Sequence, residues 1–114
     1  MKIKVIIILM VGLFAQSLYA YDMKNIYAYP VPFNPNKHNI INISNPLNDS
    51  LKMTVYDING DLVIEKSSSA NPVIWNGRNG SGRLVKPGLY IIKVEIENSS
   101  GDYGKKIIRI LVDY

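Results

Sequence analysis

The chain is 114 residues long, room for one domain, and its 13 Lys and Arg against 9 Asp and Glu give a formal charge of +4. That excess is too mild and too scattered for a nucleic-acid partner, which needs a basic face, and 47% hydrophobic content excludes a disordered chain. The absence of cysteine excludes disulfides, thiol catalysis, zinc–cysteine sites and a lipidated N-terminal Cys, and a single histidine removes most histidine-based metal sites.

The N-terminus has the three-part order of an export signal: a cationic head (Met1-Lys2-Ile3-Lys4), an apolar run from Val5 to Phe14, and a semi-polar stretch ending at Ala20. A cut after Ala20 places Leu18 and Ala20 at the two recognition positions, weaker than a strict Ala-x-Ala. The competing reading is an uncleaved anchor, but a spanning helix needs about 20 apolar residues and this core is shorter. Residues 1–20 are therefore expected to be a signal peptide and 21–114 a single domain of net charge +2 once Lys2 and Lys4 are gone. Such a domain buries roughly two-thirds of its unfolded surface, enough for a core without metal or disulfide.

Beyond Tyr21 no segment keeps a helical apolar period, whereas period-two alternation recurs between Gly, Pro, Asn and Asp. Asn25–Tyr29 alternates Ile26 and Ala28 against Tyr27 and Tyr29. Pro30–Pro35 carries three prolines and reads as an extended edge or turn. Asn39–Ser44 and Leu51–Tyr56 follow, the latter with Leu51, Met53 and Val55 inward and Lys52 and Thr54 outward. Asn59-Gly60 then predicts a hairpin with two consecutive positive-φ residues, returning along Asp61–Lys66. Pro72–Trp75 is a short strand. Gly88–Ile96 sets Tyr90, Ile92, Val94 and Ile96 against Ile91, Lys93 and Glu95, and Lys105–Val112 sets Ile108, Ile110 and Val112 against Ile107, Arg109 and Leu111. Apolar residues on both faces place these last two strands centrally. Seven strands with frequent turn signals predict an all-β antiparallel sandwich.

The sequence holds no constellation of catalytic or metal-binding residues. His38, the only imidazole, sits in a polar turn with no motif around it and reads as an exposed turn residue. The Gly77–Arg83 loop leads into a strand, not the helix a phosphate loop requires. Asp57, Asn59 and Asp61 offer oxygens at spacing two, but without the further Glu and sixth-place Gly of a calcium loop they read as hairpin residues. Tyr27, Tyr29 and Phe33 could form a carbohydrate platform, though packing across a sheet accounts for them more simply. No catalytic residue, cofactor or metal is expected.

Four blocks are more specific than fold class. They are Pro30-Val31-Pro32-Phe33-Asn34-Pro35; Val55-Tyr56-Asp57 through Gly60 to Val63; Trp75-Asn76-Gly77 with Gly82, Val85, Gly88 and Tyr90; and the closing Lys105–Val112 strand. In this order they resemble the immunoglobulin-like domain named after the flagellar hook-capping protein FlgD, and are similar to C-terminal sorting modules of type IX secretion cargo. The likeness spans about Tyr29 to Val112. It departs where Val31 replaces the usual Asn and Asn76 the usual Asp, which removes an acidic ligand from the tryptophan loop.

The resemblance implies structural roles for Pro32, Phe33, Asn34, Pro35, Tyr56, Asp57, Gly60, Trp75, Gly77, Gly82, Gly88 and Tyr90. It implies a non-enzymatic, exported interaction module of the periplasm, cell surface or medium. The partner expected is another envelope or secreted protein, or a second copy, with no nucleic acid and the membrane touched only through the export signal. A type IX sorting or anchoring domain is the alternative reading, and a carbohydrate- or calcium-binding module the third. In the family this domain ends a long secreted protein; here it follows the expected signal directly, as a stand-alone protein or separated tail would.

Overall fold

A computed structural model describes residues 20–114, so the expected export signal lies, except for Ala20, outside the described residues. Seven strands follow one another: β1 (Ala28–Tyr29), β2 (Ile41–Ile43), β3 (Ser50–Tyr56), β4 (Leu62–Ser68), β5 (Val73–Trp75), β6 (Gly88–Glu97) and β7 (Tyr103–Val112). They pair antiparallel into two sheets, ordered β1-β2-β5 and β4-β3-β6-β7, forming an all-β sandwich.

Alternation builds the core. Leu51, Met53 and Val55 of β3 and Ile92, Val94 and Ile96 of β6 are fully buried on one inner face, opposite Ile41, Ile43, Val73 and Trp75 on the other. Each such side chain contributes about 1.5–3 kcal/mol by leaving water. β6 is central, pairing with β3 along its length and with β7 from Gly88↔Val112 to Glu97↔Tyr103. β7 is an edge, not a central strand as its two-sided apolar pattern suggests. Ile107 and Leu111 point outward and remain 48% and 44% exposed.

The β7 edge is covered by the N-terminal segment instead of by a strand. Tyr21 N donates to Tyr103 O (3.0 Å), Phe33 N to Leu111 O (2.8 Å) and Asp113 N to Phe33 O (2.9 Å). Lys106 turns inward and its Nζ donates to Ile26 O at 2.6 Å and Met23 O at 3.3 Å. On the opposite flank Lys66 of β4 likewise donates to Ile74 O of β5 at 2.8 Å. Each open seam between the sheets thus has a lysine set across it, an inward charge of the kind that blunts sheet edges. The β4 edge is in part occupied, because Val63 O accepts from Gly80 N at 3.1 Å.

Three loops share one design. In Asp57–Asp61, Asn79–Arg83 and Asn98–Asp102 the first residue's side-chain Oδ1 accepts from two backbone N–H groups, and the fourth residue is a glycine at φ +81 to +84. The first N–H donates to the fifth carbonyl. Asn59 lacks the positive φ expected of it; only Gly60 is left-handed, giving a type I turn with a glycine bulge, and a separate register shift at Val55/Tyr56 leaves Val63 as an extra residue on β4.

Candidate interaction surface

The tryptophan end of the sandwich gathers most of the motif residues into one packing unit. Trp75 is 2% exposed, its Nε1 donates to Arg78 O at 2.9 Å, and its ring meets Tyr90 edge-on at 6.2 Å between centroids. Tyr90 donates its hydroxyl to Lys86 O at 2.7 Å, and burial leads the raising of its pKa. Gly77 adopts φ +74, and a Cβ there would lie 2.8 Å from the Phe33 ring, so glycine is required by both conformation and space. Phe33 is fully buried while Pro32 is exposed. Asn34 accepts on Oδ1 from Asn36 N (2.9 Å), and its own N–H donates to Nδ1 of His38 (3.0 Å). Pro35 is half-buried beside it, and Gly82 and Gly88 both hold positive φ. Tyr56, Asp57 and Gly60 belong to the β3–β4 hairpin instead.

Two expectations about side chains change. His38 is half-buried and stacked on Phe33 at 6.1 Å, so it is a part of this packing unit and not an exposed turn residue. Tyr27 and Tyr29 do not join Phe33 in the core: they face solvent at 54% and 41% exposure with rings 5.5 Å apart. Neither Asp57 nor Asn79 is free to act on a ligand through Oδ1, which each commits to the turn. Among the described residues no three His, Cys, Asp or Glu side chains converge as a metal site. An open cleft of about 450 Å³ lies between Asn48–Ser50 and Glu97–Ser99 at the other end of the sandwich.

The outer face of the four-stranded sheet is divided. Strand register lays its residues in rows across the sheet. At the tryptophan end Leu89 lies beside Leu111, and Leu62, Tyr56, Ile91 and Arg109 line up across all four strands. Next come Glu65, Thr54, Lys93 and Ile107, and then Ser67, Lys52, Glu95 and Lys105. Leu62 is 61% exposed and Leu89 37%, so the first two rows present apolar surface to water. Thr54 points outward as its alternation requires, yet is only 4% exposed beneath its long neighbours.

Apart from Ile107, which extends the apolar surface along β7, the remaining rows are tied by charge. Lys52 and Glu65 form a 2.7 Å ion pair that raises the lysine's pKa. Glu95 accepts from the Tyr103 hydroxyl at 2.7 Å, which does most to hold its carboxyl below the ordinary range; burial opposes this, and Lys93 and Lys52 add to it. Its other oxygen lies 3.5 Å from Lys93 Nζ, close enough for charge attraction but without hydrogen-bond geometry. The register that creates this division was not visible in single strands. Arg109 could have been singled out only by aligning β6 with β7.

The chain is thus a two-sheet immunoglobulin-like sandwich, with Phe33, Trp75 and Tyr90 spent on packing and an amphipathic outer face. The chain belongs to the secretion system C-terminal sorting domain family, whose model matches residues 27–110. Among solved structures it is similar to PorZ, an essential bacterial surface component of the type-IX secretion system of Porphyromonas gingivalis, at 26% identity and a TM-score of 0.66. That match covers 84% of this chain but 12% of PorZ. CopC from Methylosinus trichosporium OB3b shares the fold, at 14% identity and TM-score 0.51, over 67% of this chain and 76% of its own. FlgD from Xanthomonas campestris aligns more loosely, at 15% identity and TM-score 0.45, over 85% of this chain and 74% of that one. No curated protein matches the chain.

Proposed function

We propose that this chain is an exported, non-enzymatic module that works by binding another protein at the cell envelope or surface, after loss of residues 1–20. The observation that carries this reading is the half-apolar outer face of the four-stranded sheet, where Leu62, Ile107 and Leu111 are each more than 40% exposed. Large contiguous apolar surface on a soluble domain marks an interface. The motif residues support the absence of chemistry by their positions, since Phe33, Trp75 and Tyr90 serve the core. Photocross-linkers placed at Ile107 and at Lys105 in the exported chain test this: adducts with an envelope protein from position 107 and not from 105 are expected. A monomer that cross-links to nothing from either position overturns the proposal.

A second reading, a type IX sorting or anchoring domain, is favoured by the family match over residues 27–110 and by the likeness to a surface component of that system. Residues 21–114 fused behind a periplasmic reporter in a type IX-secreting bacterium would then carry the reporter to the surface. Retention in the periplasm, with the fusion folded, counts against sorting.

A further inference from the structure

We infer that the apolar half of the outer sheet face receives an apolar protein surface bearing one carboxylate, which pairs with Arg109. The inference rests on the binding-module reading and names the chemistry of the partner. Arg109 stands in the row of Leu62, Tyr56 and Ile91, and cross-strand from Ile91. No carboxylate lies within 4 Å of it among the described residues; the acids of this face, Glu65, Glu95 and Glu97, fall in the rows beyond. Glu65 is paired with Lys52, and Glu95 takes the Tyr103 hydroxyl. A guanidinium set among aliphatic side chains is weakly hydrated and presents a planar fork suited to a carboxylate. Once a partner excludes water, that charge needs an opposite one, because a buried unpaired charge is strongly unfavourable.

The same charge argues against a second copy as the occupant. A two-fold face-to-face pair that overlays the two apolar rows buries two Arg109 side chains, one from each copy, and neither row holds a carboxylate to pair with them. Sliding the copies until Arg109 meets Glu95 lays Leu89 and Leu111 over the Ser50, Glu97 and Tyr103 row instead of over apolar residues. A lipid surface fits less well too. Membrane-binding faces gather several Lys and Arg around their apolar residues, each worth about 1 kcal/mol near anionic lipid. Here the two apolar rows hold one cation on a flat strand surface.

The test uses the exported chain and two synthetic amphipathic peptides, identical except for a single Glu or Gln among leucines. Amide chemical shifts should move on β6 and β7 around Ile91 and Arg109, and the Glu peptide should bind about tenfold tighter than the Gln peptide, the ratio expected of one charge-assisted hydrogen bond. Arg109→Gln should equalise the two peptides, and Ile107→Lys should weaken both, each variant remaining folded. Equal affinity of the wild type for the two peptides overturns the inference. So does a shift map centred on Lys52 and Lys105, dimerisation in sedimentation, or binding to anionic vesicles with neither peptide bound. The binding-module reading fails separately: if position 107 cross-links an envelope protein while the peptides are not discriminated, the interface stands and the carboxylate does not.

Discussion

Gly77 offers a direct measure of how the tryptophan end is held. Replacing it with alanine imposes two separate penalties. A left-handed backbone at φ +74 disfavours an L side chain by about 1–2 kcal/mol. The new Cβ would also stand 2.8 Å from Phe33 Cε2, 3.4 Å from Leu84 Cδ1 and 3.5 Å from Phe33 Cζ. Phe33 has no solvent-exposed surface and is stacked on His38, so its ring cannot simply swing away. Forcing a methyl into a packed core of this kind typically adds about 1–3 kcal/mol. Gly77→Ala should therefore destabilise by roughly 2–5 kcal/mol. Gly60→Ala is the matched control: its φ is +84, and nothing lies within 4 Å of its added Cβ. Only the conformational part, about 1–2 kcal/mol, should be lost there. Urea unfolding followed by the fluorescence of Trp75, the single tryptophan, reports both midpoints. With m-values of about 1–3 kcal/mol/M, the Gly77 variant should fall clearly below the Gly60 variant. Equal midpoints would show that Phe33 relaxes freely and that this end is not tightly packed.

Trp75→Ala should destabilise the domain by about 3–5 kcal/mol in the same assay, as deletion of a buried large aromatic does, whereas a marginal shift would show the ring to be dispensable for packing. Lys106→Met keeps the chain length but strands the carbonyls of Ile26 and Met23, so calorimetry should register a loss of about 1–3 kcal/mol; an unchanged melting temperature would mean water replaces the ammonium. Burial and the nearby Asp49 carboxylate push Tyr21 up to about 12, and Tyr90 and Tyr103 are raised as well, so these phenols hold their protons more tightly folded than unfolded. The contribution of Tyr21 to stability is complete below about pH 10, the unfolded value, and is lost as the pH rises towards 12; Tyr90 and Tyr103 act in the same direction. Denaturant midpoints should decline across that window and decline less steeply in Tyr21→Phe; identical slopes would remove Tyr21 from the account.

Period-two patterning identified all seven strands and the inward set on β3 and β6, because burial on one face writes itself directly into the sequence. It misplaced β7, since apolar residues on both faces have two physical causes: cover by a neighbour, or an exposed binding face. Only the strand order separates them. The Asn59-Gly60 pair correctly marked a hairpin, but Asp57 chose the turn type by accepting two backbone N–H groups on one oxygen, a competition that a dipeptide rule does not weigh. The two seam lysines were illegible for a different reason. Lys66 and Lys106 occupy inward positions that alternation assigns to apolar residues, and their carbonyl partners lie on other segments, 8 residues away for Ile74 and 83 for Met23. The division of the outer face was equally hidden, because it exists only across strands and never along one.

The seal of the N-terminal segment over β7 also sets a timetable. Phe33 bonds to Leu111 and Asp113, and Lys106 reaches back 80 residues to Ile26, so the first and last parts of the domain complete each other. Contacts that span nearly the whole chain raise contact order, and such topologies fold slowly because loop closure must precede the reward. The β3–β4 and β6–β7 hairpins can form locally, but the sandwich cannot close until its final residues are free to join. A chain built this way stays open until its C-terminal strand is free to pair, and locks only then.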